Sequence, residues 1–183
     1  MTTGLEALET LARMTDTDIQ TTELVDKWLL LTYDIPHTEE GDKARREFLA
    51  EARAIGATKH TESVYLLPWT KDAELLALSL AKKGEVCVWT SAVTDERKKK
   101  ELTRDYDIDL ENQLDELTGR VDRIGEHLEA RRYKRAEKMQ EKTDRLLKNL
   151  EQAIIRRGSA QLYLMLRLLQ RRYGFIMVRV GNS

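Results

Sequence analysis

A single cysteine, Cys87, stands in a chain of 183 residues, so neither an intrachain disulfide framework nor a cysteine-rich zinc site can form. That usage fits a reducing, cytoplasmic setting. No apolar run approaches the roughly 18 residues needed to span a bilayer, and the N-terminus lacks the basic-then-apolar order of a signal peptide. A soluble, unexported protein with no membrane partner is expected. Large charge of one sign is missing too. Charged residues make up 34% of the sequence, yet the formal net charge is only -1, which excludes a strongly basic nucleic-acid binder and an acidic disordered tail as descriptions of the whole chain. Any polyanion binding falls to local patches. The sequence also lacks a Gly-x-Gly-x-x-Gly fingerprint, a Walker loop and a nucleophile elbow, which removes the usual support for nucleotide-dependent and serine-hydrolase chemistry. His37, His60 and His127 have no spacing that suggests a zinc motif and read as isolated surface or turn residues.

What is present falls into three parts. Residues 1–25 place Leu5, Leu8, Leu11 and Ala12 at helical spacing, followed by a Thr/Asp-rich stretch, and predict a helical arm and linker. Residues 26–93 switch period repeatedly. An apolar strand over 28–34 is followed by a helix over about 42–55, with Ala44, Phe48, Ala52 and Ile55 on one face, stopped by Gly56. Two short strands, 58–61 and 63–67, are joined around Glu62, and Pro68 ends the second. A helix over 72–83 carries Leu75, Leu76 and Leu80, and a strand over 85–91 alternates Val86 and Val88 against Cys87 and Trp89. Cys87 reads as a small buried hydrophobe, and Trp28, Trp69 and Trp89 as core or edge packing. The order β-α-β-β-α-β defines an α+β fold of the ferredoxin-like, split β-α-β kind.

Residues 94–183 form a helical extension. Leu110, Leu114, Leu117, Val121, Ile124 and Leu128 recur in 4-3 alternation, as do Met139, Thr143, Leu146, Leu150 and Ala153. The basic run 131–135 interrupts the register without Pro or Gly. A hairpin turning near 130–136 and one long bent helix both satisfy the pattern, and the hairpin is preferred. A third helix over 160–173 shows Leu162, Leu166, Leu169 and Tyr173 on one face, and 175–180 reads as a short final strand.

The Trp28-Leu29-Leu30-Leu31 opening, Tyr33-Asp34-Ile35-Pro36, the Gly56-Ala57 pair and Ser63-Val64-Tyr65-Leu66-Leu67-Pro68 resemble the N-terminal domain of ChrB-type chromate-resistance regulators. Tyr33-Asp34, the helix carrying Arg45 and Arg46, and Ser63-Val64 are also similar to the CRISPR-associated Cas-two family. Either resemblance covers only residues 27–92. The first implies a non-enzymatic regulatory or nucleic-acid-binding module. The second implies a pair of subunits in which Asp34 from each chain lies near a two-fold axis and shares one Mg²⁺, the only cofactor considered, in a metal-dependent nuclease. A lone carboxylate per chain is a sparse set for a hard cation, which prefers several oxygen ligands. Asp34 before Ile-Pro is equally a turn former at a strand exit.

Arg45, Arg46 and Lys59 are candidate phosphate contacts, because guanidinium pairs bidentately with phosphate oxygens. Arg131, Arg132, Tyr133, Lys134 and Arg135 combine cations with a ring that can stack on a base, as single-strand binders do. Arg97-Lys98-Lys99-Lys100, Arg156-Arg157 and Arg171-Arg172 are further basic clusters, though mixed charge on helices commonly makes an ordinary solvated face. The heptads and a free strand edge favour a homodimer. Three functions are therefore expected in order: a dimeric module binding DNA or RNA, a Mg²⁺-dependent nuclease, and an adaptor that docks a protein partner on its helical arm.

Overall fold

The computed structural model describes residues 24–35, 38–81 and 86–181. The helix expected around Leu5–Ala12 and its linker lie outside those residues, as does His37. Among the described residues the elements are, in order, β1 (Lys27–Tyr33), α1 (Glu39–Ala54), β2 (Thr58–Thr61), β3 (Val64–Pro68), α2 (Lys71–Ala81), β4 (Val86–Ala92), α3 (Glu96–Glu129), α4 (Tyr133–Arg157) and α5 (Ala160–Gly181). The protein is α+β, with one four-stranded sheet in the order β2-β3-β1-β4. Every pairing is antiparallel, with Leu30 opposite Leu66 on one side and Trp89 on the other.

Strand alternation divides the sheet into two apolar faces. Leu29, Leu31, Tyr65 and Leu67 bury against Phe48 and Ala52 of α1 and Ala73, Ala77 and Leu80 of α2. Of the leucines expected on this helix, Leu80 is buried, joined by Ala73 and Ala77, while Leu75 is exposed. The other face presents Trp28 and Leu66 to Tyr106, Leu110, Ala153 and Ile154 of α3 and α4. Three layers result, and the root of the helical segment is built onto the sheet.

The hairpin reading holds. Leu110, Leu114, Leu117, Val121 and Ile124 are buried against Leu150, Ala153 and Ile154, with the turn at residues 130–132. The third helix lays Leu162, Leu166, Leu169 and Tyr173 into the same cluster. The strand expected over 175–180 does not form, since α5 continues to Gly181. Its β-branched residues suggested period 2, but Ile176 and Met177 continue the inward stripe one turn beyond Tyr173, and Ile176 packs beside Gly125 of α3. Cys87 is exposed, not buried, because β4 lies at the sheet edge and the bundle does not cover that position.

Gly56 fastens bundle to sheet. It has φ +80° and lies so close to α4 that a Cβ there would stand 2.6 Å from the Cβ of Ala153. The Tyr106 hydroxyl donates to the Gly56 carbonyl at 2.7 Å, and Arg156 donates to the neighbouring Ile55 carbonyl at 2.9 Å.

Candidate nucleic-acid interface

Four of the five described helices begin on a side chain that caps a free amide. Thr38 accepts from Gly41, Thr70 from Ala73, Asp95 from Lys98 and Ser159 from Leu162. Helix α4 is the exception: its N-cap is Arg132, no side chain caps it, and its first turn has no acidic residue. No side chain therefore caps the Tyr133 and Lys134 amides at the tip of the hairpin, while the Arg135 amide donates to the Arg132 carbonyl at 3.0 Å.

The preceding turn is equally unusual. The Arg131 amide donates to the Leu128 carbonyl at 2.9 Å and the Arg132 amide to the His127 carbonyl at 2.7 Å. That pair of bonds is a Schellman ending for α3, whose left-handed position normally takes glycine. Here Arg131 occupies it with φ +56°, the one positive-φ residue other than glycine among the described residues. The α4 to α5 turn uses Gly158 at the corresponding position, with φ +72°. Residues 131–135 line a shallow, open concavity of about 600 Å³, and Tyr133 is 54% exposed. None of Arg131, Arg132, Lys134 and Arg135 forms an ion pair among the described residues.

Of the other basic clusters, Lys98, Lys99, Arg156, Arg157 and Arg172 are tied into the protein, whereas Arg97, Lys100 and Arg171 form no ion pair among the described residues. Lys98 pairs with Glu101 at 2.8 Å, and Lys99 with both Asp26 and Glu96. The hydrogen bonds that Lys99 donates to those two carboxylates raise its amine above its ordinary pKa, and the bond that Glu101 accepts from Lys98 lowers its carboxyl. Arg156 joins Asp72 to the Ile55 carbonyl. Arg157 is buried, and its guanidinium holds both oxygens of Asp107 at 2.6 and 2.9 Å. Arg172 pairs with Asp122 at 2.6 Å. Arg156 and Arg157 thus have interior work, although in sequence they look like the tip.

On the sandwich, Asp34 is exposed at the exit of β1. Arg45 is turned inward, donating to the Ile35 carbonyl at 2.9 Å and to Asp42 at 3.2 Å, so it braces the β1 to α1 connection. Arg46 and Lys59 are exposed, on α1 and β2. No group of three or more His, Cys, Asp or Glu able to hold a metal ion occurs among the described residues. Tyr106, which touches the sheet, and the tip are separated by 24 residues of α3, about 36 Å at helical rise. The structure therefore assembles the tip residues with one another but does not bring them to Asp34, Arg45, Arg46 or Lys59.

The sequence identified the tip cations and Tyr133. It did not single out the missing cap or the left-handed arginine, whose only local signal is the absence of Ser, Thr, Asp, Asn or Gly between Ala130 and Tyr133. Compared with known protein families, curated proteins and solved structures, the chain matches none.

Proposed function

We propose that the protein is a non-enzymatic, dimeric nucleic-acid-binding module, a ferredoxin-like sandwich of the kind the ChrB-type resemblance implies, which presents the hairpin tip to phosphates. One observation carries this reading: four neighbouring cations with no carboxylate partner among the described residues surround an exposed tyrosine at a helix start that no side chain caps. Anions are stabilised at such a start, and unpaired cations give up only water and counterions on meeting a phosphate. Tyr133 adds a face on which an unpaired base can stack.

Dimerisation is supported by the contrast between the two sheet edges. The β2 edge is four residues long, irregular and carries Lys59 and His60, devices that discourage pairing. The β4 edge is seven residues long and holds no charge or proline from Val86 to Ala92. Two copies paired there would carry two tips.

Fluorescence anisotropy against duplex and single-stranded DNA or RNA across a salt series tests the proposal. Four phosphate contacts give a log-log salt slope of about -3.6 on duplex and about -2.8 on single strands, doubling where two tips engage. Arg132→Glu with Arg135→Glu should abolish most of the binding. Affinity that survives this pair unchanged, or no binding at low salt, would sink the reading. Repeating the titration with Mg²⁺ and with Asp34→Ala separates the module from the nuclease alternative, which requires metal-dependent cleavage lost in that variant.

A further inference from the structure

Among the described residues, strand β4 pairs on one side only, with β1. The Val93 amide donates to the Asp26 carbonyl at 3.0 Å, one step beyond the Lys27–Ala92 pair, and this bond fixes the alternation of the ladder. The amides and carbonyls of Ser91, Trp89 and Cys87 therefore turn toward β1, while those of Val86, Val88, Thr90 and Ala92 turn outward. The strand that carries this outward row is seven residues long, with no charge, proline or register shift to discourage pairing.

The side chains add a second observation. Trp89, the middle residue of the strand, lies opposite Leu30 on the sheet face that carries the bundle, yet it is 57% exposed. Its indole N–H donates to the Thr32 hydroxyl at 3.0 Å, so the ring is held on the sheet in advance of any partner. An exposed tryptophan fixed in place at the centre of an open strand edge suits an interface.

A second copy of the same strand satisfies both observations. Because the outward groups belong to alternate residues, a two-fold axis can pass through a residue such as Val88, Trp89 or Thr90 but not between residues. Only an axis at Trp89 pairs all seven residues of the strand. It sets Trp89 against its own copy in a close, non-hydrogen-bonded pair, with Cys87 against Ser91 on the same face and Val88 against Thr90 on the other. About eight main-chain bonds would form, near the number in a standard interface. The axis stands perpendicular to the sheet, so both bundles rise from one face of a sheet continuous through the two chains.

We infer that β4 pairs antiparallel with β4 of a second copy about an axis at Trp89. This interface rests on the dimer of the proposed function and specifies how its two copies join.

Disulfide trapping in the full chain, free of nucleic acid, tests the register, with sedimentation reading the oligomeric state. Trp89→Cys in a Cys87→Ser background places two thiols in the close pair at the axis, and Ser91→Cys beside the native Cys87 places them in the next pair on that face while keeping the tryptophan. Both should close between chains at least about tenfold faster than the native chain, whose Cys87 thiols would lie more than about 13 Å apart. Thr90→Pro keeps every bond to β1 and removes one bond in each direction across the axis, so self-association should weaken at least about tenfold. A dimer in which native Cys87 closes as fast as the other two, or which Thr90→Pro leaves equally tight, would overturn the inference while the dimer of the proposed function stands. A monomer would overturn both, leaving the edge to a strand of another polypeptide and phosphate binding at the tip to the anisotropy titration.

Discussion

Gly56 and Ala153 meet at a distance that no side chain on Gly56 could tolerate: a Cβ there would lie 2.6 Å from the Ala153 Cβ and 3.2 Å from its Cα. Helix α4 is therefore seated against the chain between α1 and β2, and the neighbouring bonds from Tyr106 and Arg156 lock it there.

Gly56→Ala should destabilise the protein by about 2–5 kcal/mol, combining a left-handed backbone conformation that disfavours a Cβ with overpacking against α4. Urea unfolding measures it. Ala153→Gly in the same chain removes the nearer clash and should restore about 1–2 kcal/mol as a coupling between the two sites. Strict additivity would show that the seat relaxes without cost.

On the proposed function, the tip sets stability against binding at one residue. Arg131→Gly relieves a left-handed arginine and should raise stability by about 1 kcal/mol. It also deletes one of the proposed phosphate contacts, so affinity should fall and the salt slope should shrink by about one. Opposite signs in the melting and binding measurements are the expected signature. A variant that is both more stable and equally tight would remove Arg131 from the interface.

Arg157 and Arg156 should respond very differently to loss of their partners. Asp107→Asn leaves the Arg157 guanidinium buried beside a neutral amide and should cost about 3–5 kcal/mol in chemical denaturation. Asp72, the partner of Arg156, is largely exposed, and Asp72→Asn should cost less than about 1 kcal/mol. Similar losses would mean that burial does not set the strength of these pairs.

These contrasts also show what the sequence could reveal. The seam from Leu110 to Ile124 was legible because its partners lie along the same hairpin and repeat every three or four residues. The strands were legible from their alternation and their Gly and Pro boundaries. The work of Arg157 was not, because Asp107 is 50 residues away, and that of Arg156 was not, because Asp72 is 84 residues away. Adjacent arginines look alike until tertiary contacts sort them into paired and unpaired. Residues 175–180 misled for a local reason: Ile, Val and Phe suit a strand, and only packing of Ile176 beside Gly125 selects the helix. On α2 the leucines alone did not reveal which face turns inward, since Ala73 and Ala77 join Leu80 in the core while Leu75 is exposed.

Alkaline pH should weaken the fold at the same junction. Burial raises the Tyr106 phenol far above its ordinary 10.0; burial followed by the hydrogen bond to Asp144 does the same to Tyr173, and burial also raises Tyr65. A raised folded pKa means that the native state keeps protons which the unfolded chain has released. The stability is fully present below pH 10 and is lost as pH climbs from 10 toward the folded values. Tyr106→Phe should lower stability at neutral pH by about 1–3 kcal/mol, because the buried Gly56 carbonyl loses its donor. The same variant should flatten the decline above pH 10, since one phenol no longer has to ionise. Urea midpoints at pH 7, 9 and 10.5 for the two proteins decide the matter: parallel curves would mean that Tyr106 titrates normally in the fold, and converging curves that its proton is held by the contact between α3 and Gly56.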